Sequence, residues 1–569
     1  MSLLLCVACN TSSLDSAQPA EPAADVGNQE PSVGEPGAGG SPAVGDPGAM
    51  SPTEVDACVT ANPGAAPIRR MTHFEYNATV RDLLGDATRP ADSFGMEEEA
   101  LGFNNNAANL VTSATLAEKY MVAAEAIAAR ATESLATLLP CDPLLAGERA
   151  CAEQFIQSFG QRAFRRPLAP EEVTLFLEQF DAGLADGDFT AGIQMVIETA
   201  LQSPAFLYRV EFGAVPATGE TAVRLSSWET ASRLSYLLWG SMPDEQLFAA
   251  AAAAELSTAE QIAAQARRLL DDPKAREAVA NFHQQWLDYN RIANVSKDAT
   301  LFPEWTTSIA GLMREEARAF LDDAVFGSNG SLASLLTSSN GFLNADLATF
   351  YGVTGPVGTT FEPVALDPTQ RAGVLTLGSL LSINAHSNQT SPVHRGLLVR
   401  ERFLCDPVPP PPPDVMVQAP APNPDSTARE RFAEHSVNPA CGGCHSLMDP
   451  LGFGFENYDA MGRYRTEENG LPIDATGSII ASDVDGPYVG VIELAGKLAA
   501  SQEVENCYVK QWFRYGYGRG ETATDSCSLA TLSDRFNAAQ GNIKELLVAL
   551  TQTDAFLYRP VSTGAGGTP

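Results

Sequence analysis

Residues 439–465 read PACGGCHSLMDPLGFGFENYDAMGRYR, with a CxxCH motif at 441–445. This spacing is the attachment signal for a covalently bound c-type haem, because two thiols must reach the two vinyl groups of one porphyrin while the adjacent imidazole ligates the iron. In a chain of 569 residues with 10 Cys and 6 His, chance gives the pattern in about 0.002 of cases. The motif therefore predicts covalent haem c on Cys441 and Cys444, with His445 as an iron ligand.

The sixth position of such an iron decides between electron transfer and ligand chemistry. His435 and Met461 are the main candidates for this position, and Met416 is a third. A bis-His haem would have a low potential, whereas a methionine ligand would raise it. No methionine follows Met461, so the chain lacks the long His-to-Met separation usual in small cytochromes c and departs from their standard pattern.

Two other interpretations of the motif stay open. Cys441 and Cys444 are close enough in sequence for a short disulfide. Alternatively, the two thiols together with His445 and His435 supply the four ligands of a zinc site. Either interpretation would make the segment structural rather than redox-active.

Polar residues near the motif are candidate contacts of a haem. Guanidinium groups pair carboxylates bidentately, and the nearby arginines are candidate partners for haem propionates or for Glu430, Glu456 and Asp459: Arg429, Arg463 and Arg465. His386 and His394 flank a polar run that would line the distal side of the haem or form a capped turn. Asp449-Pro450 is predicted to end the helix that carries the motif.

The chain is strongly acidic. Its formal net charge is −34, from 36 Lys+Arg and 70 Asp+Glu. Such a chain repels phosphate backbones, because binding to them needs clustered cations. Nucleic acid is therefore not expected as a partner, and an unidentified redox protein is the partner that a haem implies. The sequence contains no Walker loop, nucleophile elbow or HExxH motif, so an enzymatic activity is neither predicted nor excluded.

The first nine residues, MSLLLCVAC, resemble the end of a secretory signal with a lipobox. Cys9 would then be the lipidated first residue of a mature lipoprotein, followed by a flexible tether rich in Ala, Pro and Gly. A membrane is expected as a partner only through this anchor. The predicted location is extracytoplasmic, in the periplasm or on the outer membrane or cell surface.

The remaining cysteines suit an oxidising compartment. The predicted disulfides join cysteines that are close in sequence, Cys141–Cys151 and Cys507–Cys527, which leaves Cys58 and Cys405 over.

Most of the chain beyond the tether has helical periodicity. Capping boxes predict helices that begin at Thr72, Ser226 and Ser257. Residues 470–491, with Asp, Gly and Pro between short alternating runs, predict a small β-hairpin. The predicted fold class is therefore mainly α and multidomain, with helical modules, a cytochrome c-like CxxCH segment and a small β-hairpin element.

An internal repeat organises the helices further. The pentapeptide AFLYR occurs at 205–209 and again at 555–559, and each copy follows a helical stretch that begins near a cysteine. We infer two related helical modules, near 141–213 and near 496–560. The alternative is that an apolar helix ending in Tyr-Arg arose twice.

These observations divide the chain into eight segments. They are a signal remnant with lipobox (1–9), a disordered tether (10–66), an N-terminal helical domain (67–140), a helical module (141–213), a central helical domain (214–364), a CxxCH cytochrome c-like domain (365–469), a C-terminal helical module with the hairpin (470–560) and a disordered tail (561–569).

Several longer stretches are specific enough to suggest a family. They are RRMTHFEYNATVRDLLG from Arg69, RAFRRPL from Arg162, SPAFLYRVE from Ser203, LSYLLWGSMPDEQL from Leu234 and TSPVHRG from Thr390. With these stretches and the CxxCH segment, the chain resembles the multidomain proteins, abundant in planctomycetes and myxobacteria, that carry domain of unknown function 1592, its companion domains and a cytochrome c-like motif. The resemblance covers nearly the whole chain from about residue 67. It implies a secreted, haem-binding protein and no known reaction.

Three functions are compatible with the sequence. The favoured one is electron transfer through one covalently attached haem presented by a helical scaffold. The second is a haem enzyme, peroxidase-like or oxygen-handling, with an open sixth position. The third is a non-redox cell-surface scaffold in which the CxxCH motif is a disulfide or a zinc site.

Overall fold

The computed structural model describes Cys58 and residues 61–327, 330–411, 418–437 and 439–561. The side chains of residues 434–437 and 439–440, including that of His435, are outside this description. The predicted signal remnant with Cys9, most of the tether, Met416 and nearly all of the tail also lie outside the described residues. None of the helices in the described part of the chain combines the length and the apolar character needed to cross a lipid bilayer.

The described residues form 24 α-helices and five two-stranded sheets, which confirms the predicted mainly α fold. In the first half of the chain the α-helices are His73–Leu84, Ala114–Ala131, Leu135–Leu138, Pro143–Ala146, Glu148–Phe164, Pro170–Asp186, Phe189–Gln202, Pro204–Leu207, Ser227–Leu238, Glu245–Ala252, Ala259–Leu270 and Pro273–Leu287. In the second half they are Thr307–Phe326, Leu332–Thr337, Ala345–Tyr351, Gly378–Ile383, Pro392–Leu398, Ala428–Val437, Pro439–Phe453, Gly490–Ala499, Gln502–Tyr517, Ser526–Ala538, Ile543–Leu550 and Asp554–Leu557. A π-helical turn, Val399–Phe403, extends the helix before it.

All five sheets of the described residues are antiparallel pairs. The pairs are Arg69–Arg70 with Tyr208–Arg209, Ala222–Arg224 with Tyr558–Pro560, Asn340–Leu343 with Glu362–Ala365, Glu467–Glu468 with Leu471–Pro472, and Thr476–Ile479 with Gly486–Val489. The last pair is the hairpin predicted within residues 470–491.

Two large hydrophobic cores hold the helices. The first is built from the N-terminal helices between Met71 and Met242. The second joins the central helices to the C-terminal ones and contains the buried Trp239, Trp286 and Trp512. Removal of such apolar side chains from water is the main favourable contribution to folding, so the central and C-terminal helices depend on each other for their stability.

The helix starts follow the predicted capping boxes with one difference. Thr72 and Ser226 each accept a hydrogen bond from the backbone three residues on, and a glutamate side chain completes both boxes. The third box begins at Thr258 and is closed by Gln261. The prediction of a cap at Ser257 is therefore wrong by one residue, because the Gln261 amide fills the place assigned to a carboxylate.

The two AFLYR segments have the same local structure. In each copy Ala-Phe-Leu ends a short helix, and the following Tyr-Arg enters a strand. The backbone N–H of Met71 donates to the Leu207 carbonyl at 2.8 Å, and in the second copy that of Leu225 donates to the Leu557 carbonyl at 3.0 Å. Both donors lie just before a capping-box helix. The repeat therefore includes more than the helices that carry AFLYR. Each copy also includes the strand that pairs with its Tyr-Arg and the capping-box helix that follows that strand.

Of the two predicted disulfides, one is confirmed and one is wrong. Cys141 is bonded to Cys151, but Cys507 is bonded to Cys405 and Cys527 to Cys58. Cys507 and Cys527 lie on two different helices. A short separation in sequence does not bring two side chains together when each is fixed on its own helix.

Candidate functional site

The CxxCH motif lies on the helix Pro439–Phe453, called the CxxCH helix below. Cys441 and Cys444 are both half-buried free thiols, and residues three apart on a helix share one face. A Cβ added to Gly443 would meet no atom within 4 Å, so the helix has open space at this residue.

The CxxCH helix does not end where the sequence predicted. It continues through Asp449 and Pro450 to Phe453. A proline inside a helix costs about 3 kcal/mol, and tertiary contacts at the helix end offset this loss. Leu451 is fully buried in the second core, and the hydroxyl of Tyr488 donates to the Leu451 carbonyl at 2.6 Å.

The imidazole of His445 is held by a buried carboxylate one turn further along the helix. His445 Nδ1 lies 3.0 Å from Asp449 Oδ1 and 3.1 Å from Oδ2, and Asp449 is fully buried. An ionised carboxylate only accepts hydrogen bonds, so this contact places the proton on Nδ1 and leaves Nε2 as the nitrogen that can bind a metal. This role of Asp449 was not predicted, although the i,i+4 spacing of His445 and Asp449 was a signal for it.

The helix Pro392–Leu398, which carries the TSPVHRG stretch, crosses the CxxCH helix at very short distance. A Cβ on Gly452 would overlap the carbonyl oxygen of Pro392, and one on Gly396 would overlap that of Met448. Only glycine permits this approach. The crossing fixes the position of the CxxCH helix on the rest of the protein.

The buried guanidinium of Arg395 secures the turn that follows the CxxCH helix. Arg395 is fully buried and donates to the carbonyls of Phe455 at 3.0 Å, Tyr458 at 2.9 Å and Asp459 at 2.8 Å. A guanidinium carries five N–H donors in a fixed plane, so it can bind several carbonyls at once. In the TSPVHRG stretch, Arg395 therefore has a structural role.

The three arginines considered for haem propionates all have carboxylate partners in the protein. Arg463 pairs with Asp459 at 2.9 Å and Arg465 with Glu456 at 3.2 Å, while Arg429 pairs with Asp474 at 3.1 Å. Burial raises the pKa of Glu456 against the opposing charges of Arg395 and Arg465. The partners of Arg463 and Arg465 are among the predicted carboxylates, whereas Asp474, the partner of Arg429, was not predicted.

The structure brings His386 and His394 together. Their ring centroids are 5.3 Å apart, and the ring of Phe432, on the helix before the CxxCH helix, stacks on His386 at 6.4 Å. Burial and the charges of His394 and Lys297 lower the pKa of His386 to about 4. His386 is therefore neutral at physiological pH, which is the form that can ligate a metal.

The candidate sixth ligands lie on either side of the motif. His435 is on the helix Ala428–Val437, just before the CxxCH helix. Met461 is fully buried in the turn after it, and its backbone N–H donates to Asp459 Oδ1 at 2.8 Å. The identity of the sixth ligand stays a prediction. Among the described residues, no group of three or more His, Cys, Asp or Glu side chains is arranged to hold a metal ion.

Five families match consecutive parts of the chain, and each is described as a protein of unknown function. The matched residues are 69–133 (DUF1587), 151–211 (DUF1595), 225–353 (DUF1592), 371–468 (DUF1588) and 486–556 (DUF1585). The DUF1588 family has the short name PSCyt3, and its match contains the CxxCH helix and the helix that crosses it. No curated protein and no solved structure matches the chain.

Proposed function

Because the chain belongs to the multidomain family that carries domains of unknown function 1585, 1587, 1588, 1592 and 1595, we propose that it is a c-type haem protein that transfers electrons outside the cytoplasm. One haem is covalently attached to Cys441 and Cys444, and His445 ligates its iron. The redox partner is a protein whose identity is open. The short name of the DUF1588 family, which matches this segment, supports a cytochrome-like role.

The state of the cysteines carries this proposal. Three disulfides join six of the eight described cysteines, and the two that remain as thiols are Cys441 and Cys444. The other six described cysteines are paired with one another and these two are not, which supports a separate chemical use for Cys441 and Cys444. Attachment to two vinyl groups is the use that the CxxCH spacing predicts.

The donor set also fits the group. Two thiols on one helical face can hold the porphyrin edge, and the next residue, His445, presents Nε2 because Asp449 binds Nδ1. When bound, haem supplies one-electron chemistry at its iron. The residues of this chain attach the group, orient its ligand and set the environment of that ligand.

Haem attachment is tested by a denaturing pyridine haemochrome spectrum after expression in a periplasm with haem-maturation machinery. We expect a c-type band in the wild type and its loss in Cys444→Ala. The double variant Cys141→Ala/Cys151→Ala is the matched control, because it removes two cysteines of a disulfide and should keep the band. A wild type without the band, in cells that load a control cytochrome, would contradict the proposal and favour the non-redox scaffold.

A haem enzyme with an open sixth position is the second candidate. The carboxylate contact between Asp449 and His445 favours it, because such a contact makes the imidazole a stronger donor to iron. Carbon monoxide and cyanide separate the two candidates. Rapid binding to the haem-loaded protein indicates an open position, whereas a strong sixth ligand from the protein resists exchange.

The extracytoplasmic location rests on two observations. Three disulfides suit an oxidising compartment, and the N-terminal sequence supports a lipid anchor on Cys9. Fractionation of cells that express the chain with a complete lipoprotein signal joined before Cys9 tests both. The wild type should remain with the membranes, and Cys9→Ser should be released into the soluble extracytoplasmic fraction.

A further inference from the structure

Two buried arginines share one carboxylate, far in sequence from the CxxCH motif. The strand pair Arg69–Arg70 with Tyr208–Arg209 sets Arg69 directly opposite Arg209. Arg69 Nη2 donates to Glu75 Oε1 at 2.9 Å, and Arg209 Nη1 lies 3.9 Å from the same oxygen. The side chains of the two arginines are 7% and 12% exposed. One carboxylate therefore faces two guanidinium groups, and one positive charge remains unbalanced.

Several N–H groups of these arginines have no acceptor among the described residues. Arg69 Nε, Arg69 Nη1 and Arg209 Nε are buried and make no hydrogen bond within the described residues. A buried donor without an acceptor loses its bonds to water and gains nothing in exchange. A buried cation without its counter-charge is more unfavourable still. The described residues alone do not satisfy this site.

The unsatisfied groups lie beside a cavity. Arg69 and Arg209 line a space of about 50 Å³, whose wall also includes Arg233, Arg519 and Phe556. The two further arginines are each neutralised by a carboxylate of their own: Arg233 pairs with Glu211, and Arg519 with Asp525. The four guanidinium groups thus have three carboxylate partners at ion-pair distance.

We propose that this cavity binds a small oxyanion, either a carboxylate or a tetrahedral anion of the phosphate and sulfate type. Its oxygens accept hydrogen bonds from Arg69 and Arg209, the pair with unused N–H groups. Guanidinium groups suit this ligand because their planar donors bind two oxygens of one anion at once. The bound charge also balances the excess positive charge of the cluster.

The site lies where the two AFLYR copies meet. The strand pair that contains Arg69 and Arg209 belongs to the first copy, because Tyr208 and Arg209 are the last two residues of its AFLYR segment. Ala555 and Phe556, which line the same cavity, belong to the second copy. A bound oxyanion therefore contacts both copies and links them.

The experiment titrates the full-length protein with phosphate, sulfate and acetate against chloride at constant ionic strength, by calorimetry and by thermal unfolding. We expect saturable binding of phosphate and sulfate or of acetate, with a matching rise in Tm, and the preferred probe identifies the class. Arg209→Gln leaves one guanidinium for one carboxylate and should weaken binding at least tenfold. Arg224→Gln is the matched control. Arg224 lies on the strand that pairs with the second AFLYR copy and does not line the cavity, so this variant should bind like the wild type.

A second variant changes affinity in the opposite direction. Glu75→Gln keeps an acceptor for the backbone N–H of Thr72, to which Glu75 Oε2 binds at 2.8 Å, but it removes the shared negative charge. Its affinity for the oxyanion should rise at least threefold. If the wild type binds none of the three probes saturably, or if Arg209→Gln and Glu75→Gln both bind like the wild type, water alone satisfies the arginines and the proposal is overturned.

Discussion

At the scale of single residues, the buried Asp449 is the group through which the protein acts on His445. The carboxylate accepts from Nδ1 and makes the imidazole more electron-rich, so Nε2 becomes a stronger donor to a bound iron. A stronger donor stabilises the oxidised metal more than the reduced one. Under the proposed function, Asp449 is therefore expected to lower the reduction potential of a haem bound by His445.

The substitution Asp449→Asn tests this effect. In the haem-loaded protein the midpoint potential should rise by up to about 60 mV. This value corresponds to a contact that stabilises the ferric form about tenfold more than the ferrous form, since a tenfold difference is 59 mV for one electron. Spectroelectrochemistry gives the potential. Asp474→Asn removes an exposed carboxylate that pairs with Arg429 and should leave the potential unchanged. Equal potentials in all three proteins would contradict the role of Asp449.

The difference between His445 and Asp449 shows which residues sequence can assign. The proposal of His445 as a haem ligand rests on the CxxCH spacing, because the chemistry of attachment fixes that spacing, and it stays a prediction. The Asp449-Pro450 pair suggested the end of a helix, so the i,i+4 relation to His445 was not used. Local capping at Thr72 and Ser226 was predictable, since each box lies within four residues. The arginine pair Arg69 and Arg209 was not, because 140 residues separate its members.

A buried carboxyl outside the site should make stability depend on pH. Burial raises the pKa of Glu316 from 4.5 to about 7, although Tyr351 donates to its Oε2 at 2.6 Å and the charge of Arg371 opposes the shift. The folded state then binds more protons than the unfolded state between pH 4.5 and 7. The free energy of unfolding therefore falls as pH rises through this window. Above the window, the stability that Glu316 contributes at low pH is lost.

The glutamine of Glu316→Gln does not ionise, so the variant does not lose stability as pH rises through this window. The free energy of unfolding of the variant minus that of the wild type should be larger at pH 8 than at pH 4. The increase should be about 1–3 kcal/mol, since each pKa unit corresponds to 1.36 kcal/mol. Urea unfolding at the two pH values measures the difference. Glu315→Gln, on the same helix but with an exposed side chain, controls for the change of charge. A difference between variant and wild type that does not change with pH would contradict the raised pKa.

At the scale of secondary-structure elements, the CxxCH helix owes its length and position to its neighbours. Its own sequence predicted an end at Asp449-Pro450, and the helix instead continues to Phe453. The contacts of Leu451 and Gly452 with the rest of the protein come from residues far along the chain. Tertiary packing outweighed local propensity here, as it often does. The hairpin within 470–491 was predictable because its turn and both its strands are adjacent in sequence.

The close crossing of two helices should make Gly452 intolerant of any side chain. Gly452→Ala places a Cβ against the carbonyl oxygen of Pro392, and overpacking of this kind costs about 1–3 kcal/mol or more. Gly443→Ala is the matched control on the same helix, because its Cβ meets nothing within 4 Å. That variant should gain up to about 1 kcal/mol, since alanine favours a helix. Chemical unfolding of the protein without haem measures both, and equal stabilities would contradict the crossing geometry.

At the scale of the whole molecule, sequence predicted the fold class and the family but not the long-range connections. Helical periodicity and the quoted motifs were sufficient for a mainly α chain of this family. The AFLYR repeat indicated two related helical units, but the strand that each unit pairs with lies 139 or 336 residues before it. Two of the three disulfides in the described part of the chain join residues 102 and 469 apart. The predicted domain boundaries stay a prediction.

The disulfides should differ in their contribution to stability. In the chain-entropy account a disulfide stabilises by constraining the unfolded chain, by about 4.7 kcal/mol for a loop of 100 residues and about 3 for one of 15. Cys405–Cys507 closes a loop of 102 residues, whereas Cys141–Cys151 closes one of 10. Urea unfolding should therefore show a larger loss for Cys405→Ala/Cys507→Ala than for Cys141→Ala/Cys151→Ala. A larger loss from the short loop would mean that strain or contacts in the folded state dominate.

Under the proposed extracytoplasmic location, the second AFLYR copy affects the order of events during export. Its strand at 558–560 closes onto residues 222–224, and the whole CxxCH region lies in the chain between the two. Pairings between such distant residues form late, because the entropy of a large loop must be overcome first. In that case residues 558–560 must leave the translocation channel before they can pair with residues 222–224. Until then the CxxCH thiols belong to an unfinished chain, which gives a maturation enzyme time to reach them.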